Sequence, residues 1–387
     1  MSIKLGEICN FQSGGTPSKN NSEFFDGTIP WVTTTALNGS KIDERNAATW
    51  ITEKAIKESA AKIVPANSIM VGTRVGVGKV AVNTVEMSTS QDIISLIDIN
   101  EERWDKDYLC KFLQSKSDYL NSQARGATIK GIKINVLAEL AVPDISVKEQ
   151  CRISEVLNTV TKLINARQQQ LTKLDELVKA RFVEVFGNPL DGTAKYPIHQ
   201  VGKVAEAVDP QPSHRTPPIE EDGIPYISIK DCDYKTGVID FQGARRVSTK
   251  VLEEHLQRYT LHDGDFVIGK IGTIGQPIFV PSRKDYALSA NIVLIQPDSE
   301  LVSPYFLKYS FESDFVERQF AEAKNSTSQA AFGIQKVRTI EVMDPDLDVQ
   351  RTFERFTKQI DKLKLSIRKS LEQMEILKKA LMQKYFG

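Results

Sequence analysis

The segment Ala180-Arg-Phe-Val-Glu-Val-Phe-Gly187 recurs as Ala380-Leu-Met-Gln-Lys-Tyr-Phe-Gly387, and both copies end in Phe-Gly. The two copies lie 200 positions apart, since 387 minus 187 is 200. The same offset pairs residues further upstream, namely Gln150 with Gln350, Ile153 with Phe353, Val160 with Ile360, Leu163 with Leu363, Leu171 with Leu371 and Leu177 with Leu377. A repeat of this length indicates two copies of one architecture.

Matches outside these segments support the repeat. At an offset of about 195 to 197, the pairs are Leu5-Gly6 with Val201-Gly202, Ile29–Val32 with Ile224–Ile227, Ile51–Lys54 with Val247–Lys250, and Asp107–Leu109 with Pro304–Phe306. The alternative is chance similarity between helices of related composition. Because these matches occur in the same order and include non-helical segments, the repeat is the favoured interpretation.

Composition limits the possible classes of protein. The chain has 387 residues and a mass of 43.3 kDa, which predicts two to three domains. Hydrophobic residues make up 41% and charged residues 26%, which is typical of globular rather than disordered proteins. Without a long apolar run or an N-terminal export segment, we expect a cytoplasmic protein with no membrane association. The four cysteines are scattered along the chain, so the sequence predicts no disulfide framework. Since the net charge is zero, it also predicts no overall electrostatic attraction to polyanions.

Residues 1–146 and 200–346 carry most of the Gly, Pro, Trp and β-branched residues. Short apolar runs bounded by turns predict strands at Ser68–Val71, Val80–Val82, Ile93–Ile97, Asp265–Ile268 and Ile292–Ile295. Helical patterns interrupt them at Glu53–Ala61, Tyr108–Ala124, Val251–Tyr259 and Pro304–Ala323. Each globular half is therefore predicted to be α+β.

The segments 148–186 and 347–386 contain no interior Gly or Pro, and their apolar residues are spaced by three and four. This spacing predicts two long amphipathic helices with coiled-coil packing. Since one helix alone cannot bury such a stripe, we expect an antiparallel pair with the globular domains at opposite ends. The predicted seam consists of Ile153, Leu157, Val160, Ile164, Leu171, Leu174, Phe353, Phe356, Ile360, Leu363, Ile367 and Leu371.

Two glycine-rich loops have some features of phosphate-binding loops. Gly72–Lys79 is followed by Val80, where a P-loop requires Ser or Thr, and Gly269–Gly275 contains no Gly-Lys-Thr. Because each loop lies between predicted strands, tight hairpins are favoured over nucleotide binding. Arg74 and Lys270 on these loops leave two interpretations open: solvated cations on plain hairpins, or contacts to a DNA backbone or base edge.

The sequence offers no recognisable catalytic constellation. The histidines are His199, His214, His255 and His262, and none has the His-x-x-x-His spacing of a metal site. There is no Gly-x-Ser-x-Gly elbow, and Asp144 and Asp346 are not followed by Glu-x-Lys at nuclease-like spacing. We therefore expect no catalytic residues and no metal site in this chain.

Ser13-Gly-Gly-Thr-Pro-Ser-Lys19, followed by Phe24–Val32, resembles the opening of a target recognition domain in the specificity subunits of type I restriction-modification enzymes. Further similar segments are Gly72–Val80, Ser90–Ile93 and Gly126–Thr128 in the first half, and Gly223–Tyr226, Gly269–Gly275 and Ser289–Ile292 in the second. The second half has Gln211–Thr216 in place of the Gly-Gly-Thr-Pro opening, so residues there cannot be transferred one by one. The resemblance covers the whole chain.

The resemblance implies an α+β fold, with two pseudo-symmetric target recognition domains separated by a pair of long antiparallel coiled-coil helices. The implied segments are a first recognition domain at 1–146, a first spacer helix at 147–187, a linker and second recognition domain at 188–346, and a second spacer helix at 347–387. In that family the subunit is not an enzyme. Each recognition domain reads one half of a bipartite asymmetric site in double-stranded DNA, and the helices set the spacing.

The resemblance also implies partners. Two modification subunits dock on the helices and methylate adenine, and restriction/translocase subunits join them. S-adenosylmethionine, ATP and magnesium are then expected on the partner subunits, with no cofactor in this chain. The sequence agrees in having no Asn-Pro-Pro-Tyr motif and no helicase P-loop.

Loop residues with hydroxyl, amide or cationic side chains are the candidates for DNA contacts, because these groups bond phosphate oxygens and base edges. In the first half they are Thr16, Lys19, Thr33, Thr34, Arg74, Lys79, Gln91, Arg125, Thr128 and Lys130. In the second half they are His214, Arg215, Ser228, Lys230, Lys270, Thr273, Asn291, Ser328 and Lys336. Since the two sets differ, we expect two different half-sites.

Three alternative functions are open at this point. The nearest is the specificity subunit of a type IIB or IIG restriction-methylation enzyme, which the neighbouring genes would distinguish. A metal-dependent nuclease would need clustered carboxylates, which the sequence does not supply. A coiled-coil scaffold would bind no DNA.

Overall fold

A computed structural model of the chain describes residues 1–39, 41–126, 130–211, 213, 215–234, 236–270, 274–325 and 333–387. The chain forms two compact units. The first consists of Met1–Gln168 together with Arg368–Gly387, and the second is Gln169–Ile367. Four of the candidate residues lie outside the described residues, namely Thr128, His214, Thr273 and Ser328.

The first unit is built on two mixed sheets. Its strands are β1 (Ser2–Lys4), β2 (Asn10–Ser13), β3 (Phe25–Val32), β4 (Lys41–Ile42), β5 (Thr49–Ile51), β6 (Ile63–Val64), β7 (Ile69–Gly72), β8 (Val80–Asn83), β9 (Met87–Thr89), β10 (Ile93–Ile97) and β11 (Ala141–Pro143). Its helices are α1 (Glu53–Glu58), α2 (Lys106–Ser115), α3 (Ser117–Gln123), α4 (Ile134–Ala138) and the first part of α5 (Val147–Phe186). The sheets have the strand orders β2-β10-β7-β8-β4 and β5-β3-β9-β6, and β1 pairs with β11.

The second unit repeats this plan. Its strands are β12 (Ile198–Gln200), β13 (Ala205–Val208), β14 (Ile224–Ile227), β15 (Cys232–Asp233), β16 (Val238–Ile239), β17 (Arg246–Val247), β18 (Phe266–Gly269), β19 (Ile278–Phe279), β20 (Ala287–Leu288), β21 (Ile292–Pro297) and β22 (Glu341–Met343). Its helices are α6 (Thr249–Leu256), α7 (Pro304–Phe311), α8 (Asp314–Asn325), α9 (Ile334–Arg338) and the first part of α10 (Leu347–Phe386). The end of α5 also belongs to the second unit, and the end of α10 belongs to the first. The orders β13-β21-β18-β19 and β17-β14-β20 correspond to the sheets of the first unit, and β12 pairs with β22. The predicted α+β class is confirmed.

Buried aliphatic and aromatic residues determine where the cores lie. In the first unit, β7 and β10 are adjacent antiparallel strands, and Ile69 and Leu96 on them are fully buried. Tyr108 and Phe112 of α2 pack in the same core. In the second unit Phe266 of β18 and Phe306 of α7 occupy the corresponding layers. Each unit therefore buries one face of a sheet under a helix, which is the usual way to shield both surfaces.

A buried glutamine near the start of each long helix makes similar hydrogen bonds in the two units. The Gln150 side-chain oxygen accepts from the Asp105 main-chain N–H at 2.8 Å, and its amide donates to the carbonyls of Arg103 and Ile145. The Gln350 oxygen accepts from the Ser303 main-chain N–H, also at 2.8 Å. Its amide also donates to a carbonyl five residues upstream, that of Pro345. The 200-residue offset therefore relates hydrogen bonds as well as residue types.

The long helices α5 and α10 begin and end within one residue of the predicted segment limits. In the first unit, Ile153 and Leu157 near the start of α5 share a core with Phe386 at the end of α10. In the second unit, Val178 near the end of α5 shares a core with Phe353 near the start of α10. Within each unit the two helical segments are therefore antiparallel, as predicted.

The buried stripe differs from the predicted seam at one position. Ile153, Leu157, Val160, Ile164, Phe353 and Ile360 are buried, whereas Leu171, Leu174, Phe356, Ile367 and Leu371 are half-buried. Leu363 is 53% exposed, so its assignment to the seam was wrong. Lys364 takes that place because its long aliphatic stem packs inward while its ammonium lies 2.5 Å from an Asp175 carboxylate oxygen.

Candidate nucleic-acid interface

The glycine loop of the first unit is a hairpin between β7 and β8, as the sequence indicated. Gly76 and Gly78 have φ values of 73° and 78°, in the left-handed region that favours glycine. The Gly78 N–H donates to the Gly72 carbonyl at 3.0 Å, which closes the loop. Arg74 and Lys79 are both exposed on it.

A second loop lies directly against this hairpin. Arg125 and Gly131 exchange two main-chain hydrogen bonds of 3.0 Å, and the Ile132 N–H donates to the Thr73 carbonyl at 2.8 Å. A Cβ atom on Gly131 would lie 2.9 Å from Cγ of Arg74, so glycine is needed for the close approach. The two loops, about 50 residues apart in sequence, therefore present their side chains side by side.

Between the loops lies a cavity of about 640 Å³, which we call the basic cleft. Its lining residues are Arg74, Gln123, Arg125, Gly131, Ile132, Lys133 and Val136. Three of them are cations, and the carboxylate of Asp92 lies 3.9 Å from one Arg74 guanidinium nitrogen. Such a concentration of guanidinium and ammonium groups suits phosphate oxygens. Sequence reasoning did not select Lys133, although its position shortly after Arg125 on a predicted loop was an available indication.

The other described candidates of the first unit differ in accessibility. Lys19, Gln91 and Lys130 are exposed, and the Thr16 hydroxyl accepts from the Gln91 main-chain N–H at 3.5 Å. Thr33 is half-buried and hydrogen-bonded to Thr35 at 2.8 Å. Thr34 is 4% exposed, so its side chain is not accessible to DNA in this conformation and the candidate is corrected.

The Gly-Gly pair of the first opening loop is held by close packing on the backbone. A Cβ on Gly14 would lie 2.2 Å from the Ser90 carbonyl oxygen, and one on Gly15 would lie 2.0 Å from that of Ala60. The Trp31 indole N–H donates to the Gly15 carbonyl at 3.0 Å. Only glycine fits at these two positions, and the loop that carries Thr16 is thereby fixed.

The cation on the corresponding loop of the second unit is buried rather than exposed. Lys270 is 5% exposed, and its ammonium lies 2.8 Å from an Asp209 carboxylate oxygen. The buried ion pair connects the end of β18 to the residue that follows β13. In this conformation Lys270 therefore supports the fold, and the plain-hairpin interpretation fits it better than a DNA contact.

The remaining described candidates of the second unit lie on loops or at helix ends. Arg215, Lys230 and Asn291 are exposed. The Ser228 hydroxyl donates to the Asp231 carboxylate at 2.9 Å and so stabilises a short turn. Lys336 is half-buried, and its ammonium lies 3.4 Å from the Ala323 carbonyl.

Other kinds of site find no support in the part of the chain that the structure describes. No group of three or more His, Cys, Asp or Glu side chains there could hold a metal ion. No helix among the described residues is both long enough and apolar enough to cross a membrane. Burial raises the pKa of the Cys9 thiol to about 12, which makes it a poor nucleophile.

The chain is thus a duplicated α+β protein, in which two units of one plan include parts of both long helices and carry unlike loops. The family model for the type I restriction modification DNA specificity domain matches residues 1–174 and again residues 214–376. The chain therefore belongs to this family, and the resemblance seen in the sequence is confirmed.

Similar proteins carry the same designation. The MjaIX specificity subunit of Methanocaldococcus jannaschii is 30% identical over 192 residues, which is 48% of this chain and 42% of that protein. The MjaVIII specificity subunit of the same organism is 22% identical over 402 residues, which is 98% of this chain and 90% of that protein. A crystal structure of a type I restriction-modification S subunit from M. genitalium has a TM-score of 0.59 at 14% identity, over 100% of this chain and 96% of that one. That likeness confirms the fold.

Proposed function

We propose that this chain is the DNA-reading subunit of a type I restriction-modification complex, and that each unit reads one half of a bipartite asymmetric site in double-stranded DNA. The observation that carries the proposal is a duplicated framework with unlike loops. Gln150 and Gln350 make equivalent hydrogen bonds, whereas Arg74 is exposed where Lys270 is buried. A conserved scaffold with divergent surface residues suits the recognition of two different sequences.

In the first unit, the basic cleft is the proposed contact to the DNA backbone. Arg74, Arg125 and Lys133 line one cavity, and cations at that density neutralise phosphates without reading sequence. The exposed polar side chains of Lys19 and Gln91 are then available for base edges. Since the chain as a whole has no net charge, this local concentration supplies the attraction that the overall composition lacks.

The chain is proposed to be non-catalytic, with catalysis supplied by partners. Two modification subunits would dock on the helices and methylate adenine, and restriction/translocase subunits would complete the complex. Exposed leucines repeat at the 200-residue offset: Leu163 and Leu363 are 47% and 53% exposed, and Leu177 and Leu377 are 47% and 48% exposed. Identical apolar side chains at equivalent exposed positions suit two copies of one partner.

The test is to purify the chain with and without its modification subunits and to map adenine methylation on genomic DNA. The chain alone should transfer no methyl group. With the modification subunits and S-adenosylmethionine, methylation should occur at one two-part motif with a nonspecific gap. Methyl transfer by the isolated chain, or a continuous motif without a gap, would contradict the proposal.

The specificity subunit of a type IIB or IIG enzyme is the second candidate. It would associate with one polypeptide that both methylates and cleaves. The mass of the assembled complex and the domain content of its partner distinguish the two.

A further inference from the structure

A buried histidine of the second unit has no part in the interface described so far. His255, at the end of α6, is 1% exposed. Its Nδ1 lies 3.0 Å from the Tyr259 hydroxyl, and its Nε2 lies 2.5 Å from the side-chain oxygen of Gln211. The Leu288 main-chain N–H donates to the same tyrosine oxygen at 3.4 Å.

These contacts define the tautomer of the ring. Because the Gln211 side-chain oxygen can only accept, Nε2 of His255 carries the proton and donates it. Nδ1 then accepts from the Tyr259 hydroxyl. Burial and, to a smaller extent, the charge of Arg258 together lower the pKa of His255 to about 4, against the opposing effect of Glu254. The imidazole is neutral at neutral pH, as this pattern of donors requires.

The far end of the chain of hydrogen bonds lies in a candidate DNA-reading loop. The Gln211 amide donates to the Ser213 hydroxyl at 2.9 Å and to the Arg215 carbonyl at 3.5 Å. The main-chain N–H of Gln211 donates to Asp209 at 3.1 Å, and Asp209 is paired with Lys270. Gln211 is therefore held through its main chain by Asp209 and through its side chain by His255.

The first unit has no counterpart of this histidine. At the local offset of 196, which pairs Ile51–Lys54 with Val247–Lys250, His255 corresponds to Ser59. The Ser59 hydroxyl accepts from the Ala61 main-chain N–H at 3.1 Å, a local contact that does not reach the opening loop. The first opening loop is fixed instead by Gly14 and Gly15 against the backbone.

We infer that His255 is a positioning residue, which orients Gln211 and, through it, the exposed residues Ser213 and Arg215 of this loop for contact with DNA, and so determines the sequence preference of the second unit. The inference rests on the proposed function, since it takes that loop to read bases. His255 itself lies too deep to contact DNA. Removing the imidazole, or the Gln211 side chain that it binds, should release the loop and relax one half-site only.

The experiment compares Gln211→Leu, His255→Leu and His255→Gln in the full chain purified with its modification subunits. The control is Gln257→Leu, an exposed glutamine just after the same helix. Each complex selects DNA from a randomised duplex library, and the bound duplexes are sequenced. The thermal unfolding temperature of each complex is measured separately. Preference for the favoured base in one half-site should fall about tenfold in the two leucine variants, as expected for loss of a good base contact. The other half-site and the Gln257→Leu complex should match the wild type.

His255→Gln should restore part of the preference, because a glutamine amide can donate to Gln211. An unchanged half-site in Gln211→Leu would overturn the inference, as would an equal loss over both half-sites, which indicates general destabilisation. If His255→Leu does not fold, Gln211→Leu decides the matter, because Gln211 lies half-buried in the loop. A wild-type complex that selects no two-part sequence would refute the proposed function instead.

Discussion

At the scale of single residues, two cations on equivalent loops differ in their exposure to solvent. The Arg74 side chain is 53% exposed and lines the basic cleft. Lys270 is buried beside Asp209. We propose that the first attracts a polyanion, whereas the second pairs with a carboxylate of its own unit, so their replacement should affect different properties.

Arg74→Ala should weaken DNA binding by similar factors on all sequences. One phosphate contact fewer should also lower the slope of log K against log salt by about 0.9. Binding titrations of the assembled complex at several salt concentrations provide the measurement, with Arg45→Ala, an exposed arginine paired with Asp43, as the control. An unaltered salt slope would remove Arg74 from the backbone contacts.

Lys270→Met should instead reduce the stability of the second unit. The Asp209 carboxylate, which is 13% exposed, would be left without its cation, and breaking a largely buried pair from one side costs roughly 3 kcal/mol. Urea unfolding monitored in the second unit gives the value. The double variant Lys270→Met with Asp209→Leu should recover much of the loss, and a failure to recover would show that the pair is not the cause.

The free energy of unfolding at acid pH should depend on the buried histidine. The pKa of His255 is about 4 in the folded chain, below its usual value of 6.5, so the unfolded state binds the proton more tightly. The free energy of unfolding is therefore highest above pH 6.5 and falls as the pH drops towards 4, by roughly 3 kcal/mol. His255→Gln should lack this component, and the difference between the two pH profiles measures it. Parallel profiles would show that the imidazole is not buried neutral.

At the scale of elements, the paired glutamines connect each long helix to its own unit. Gln150→Leu would leave the Asp105 N–H and two carbonyls without partners, which should lower the free energy of unfolding by roughly 2 to 4 kcal/mol. Hydrogen exchange should show faster exchange in the first unit and little change in the second. Gln350→Leu is the matched variant, with the reverse result expected. A uniform change over both units would contradict this local role.

Long periodic elements could be predicted from the sequence, and short irregular ones could not. The limits of α5 and α10 followed from apolar spacing and the flanking Gly and Pro. The predicted helix Tyr108–Ala124 is in fact α2 and α3, divided at Lys116, whose ammonium lies 2.5 Å from the Phe386 carbonyl. That interaction joins residues 270 positions apart, so it cannot be predicted from a local sequence pattern.

The candidate interface, too, could be predicted from the sequence only in part. Glycine spacing was enough to predict the hairpin that carries Arg74. The contribution of Lys133 to the basic cleft depends on the pairing of two separate loops. The link between His255 and Gln211 spans 44 positions. Residues that act through a tertiary contact carry no periodic signal in a single sequence.

At the scale of the whole molecule, the long helices are proposed to set the gap between half-sites. Inserting one heptad after Gln168 and another after Ile367 keeps the apolar stripes in register and adds ~10 Å to each helix. The nonspecific gap should then grow by up to about 3 base pairs, at ~3.4 Å each. Genome-wide methylation mapping should recover both half-sites unchanged, whereas an unaltered gap in an active complex would show that the helices do not set the spacing.

The division of the chain into units also has a consequence for synthesis on the ribosome. The second unit, Gln169–Ile367, is continuous in sequence and can fold as soon as it leaves the exit tunnel. The first unit begins earlier but includes Arg368–Gly387, and Phe386 packs there against Tyr108 with the ring centroids 5.2 Å apart. Of the two units, the one whose translation begins earlier is therefore the one that completes its core later.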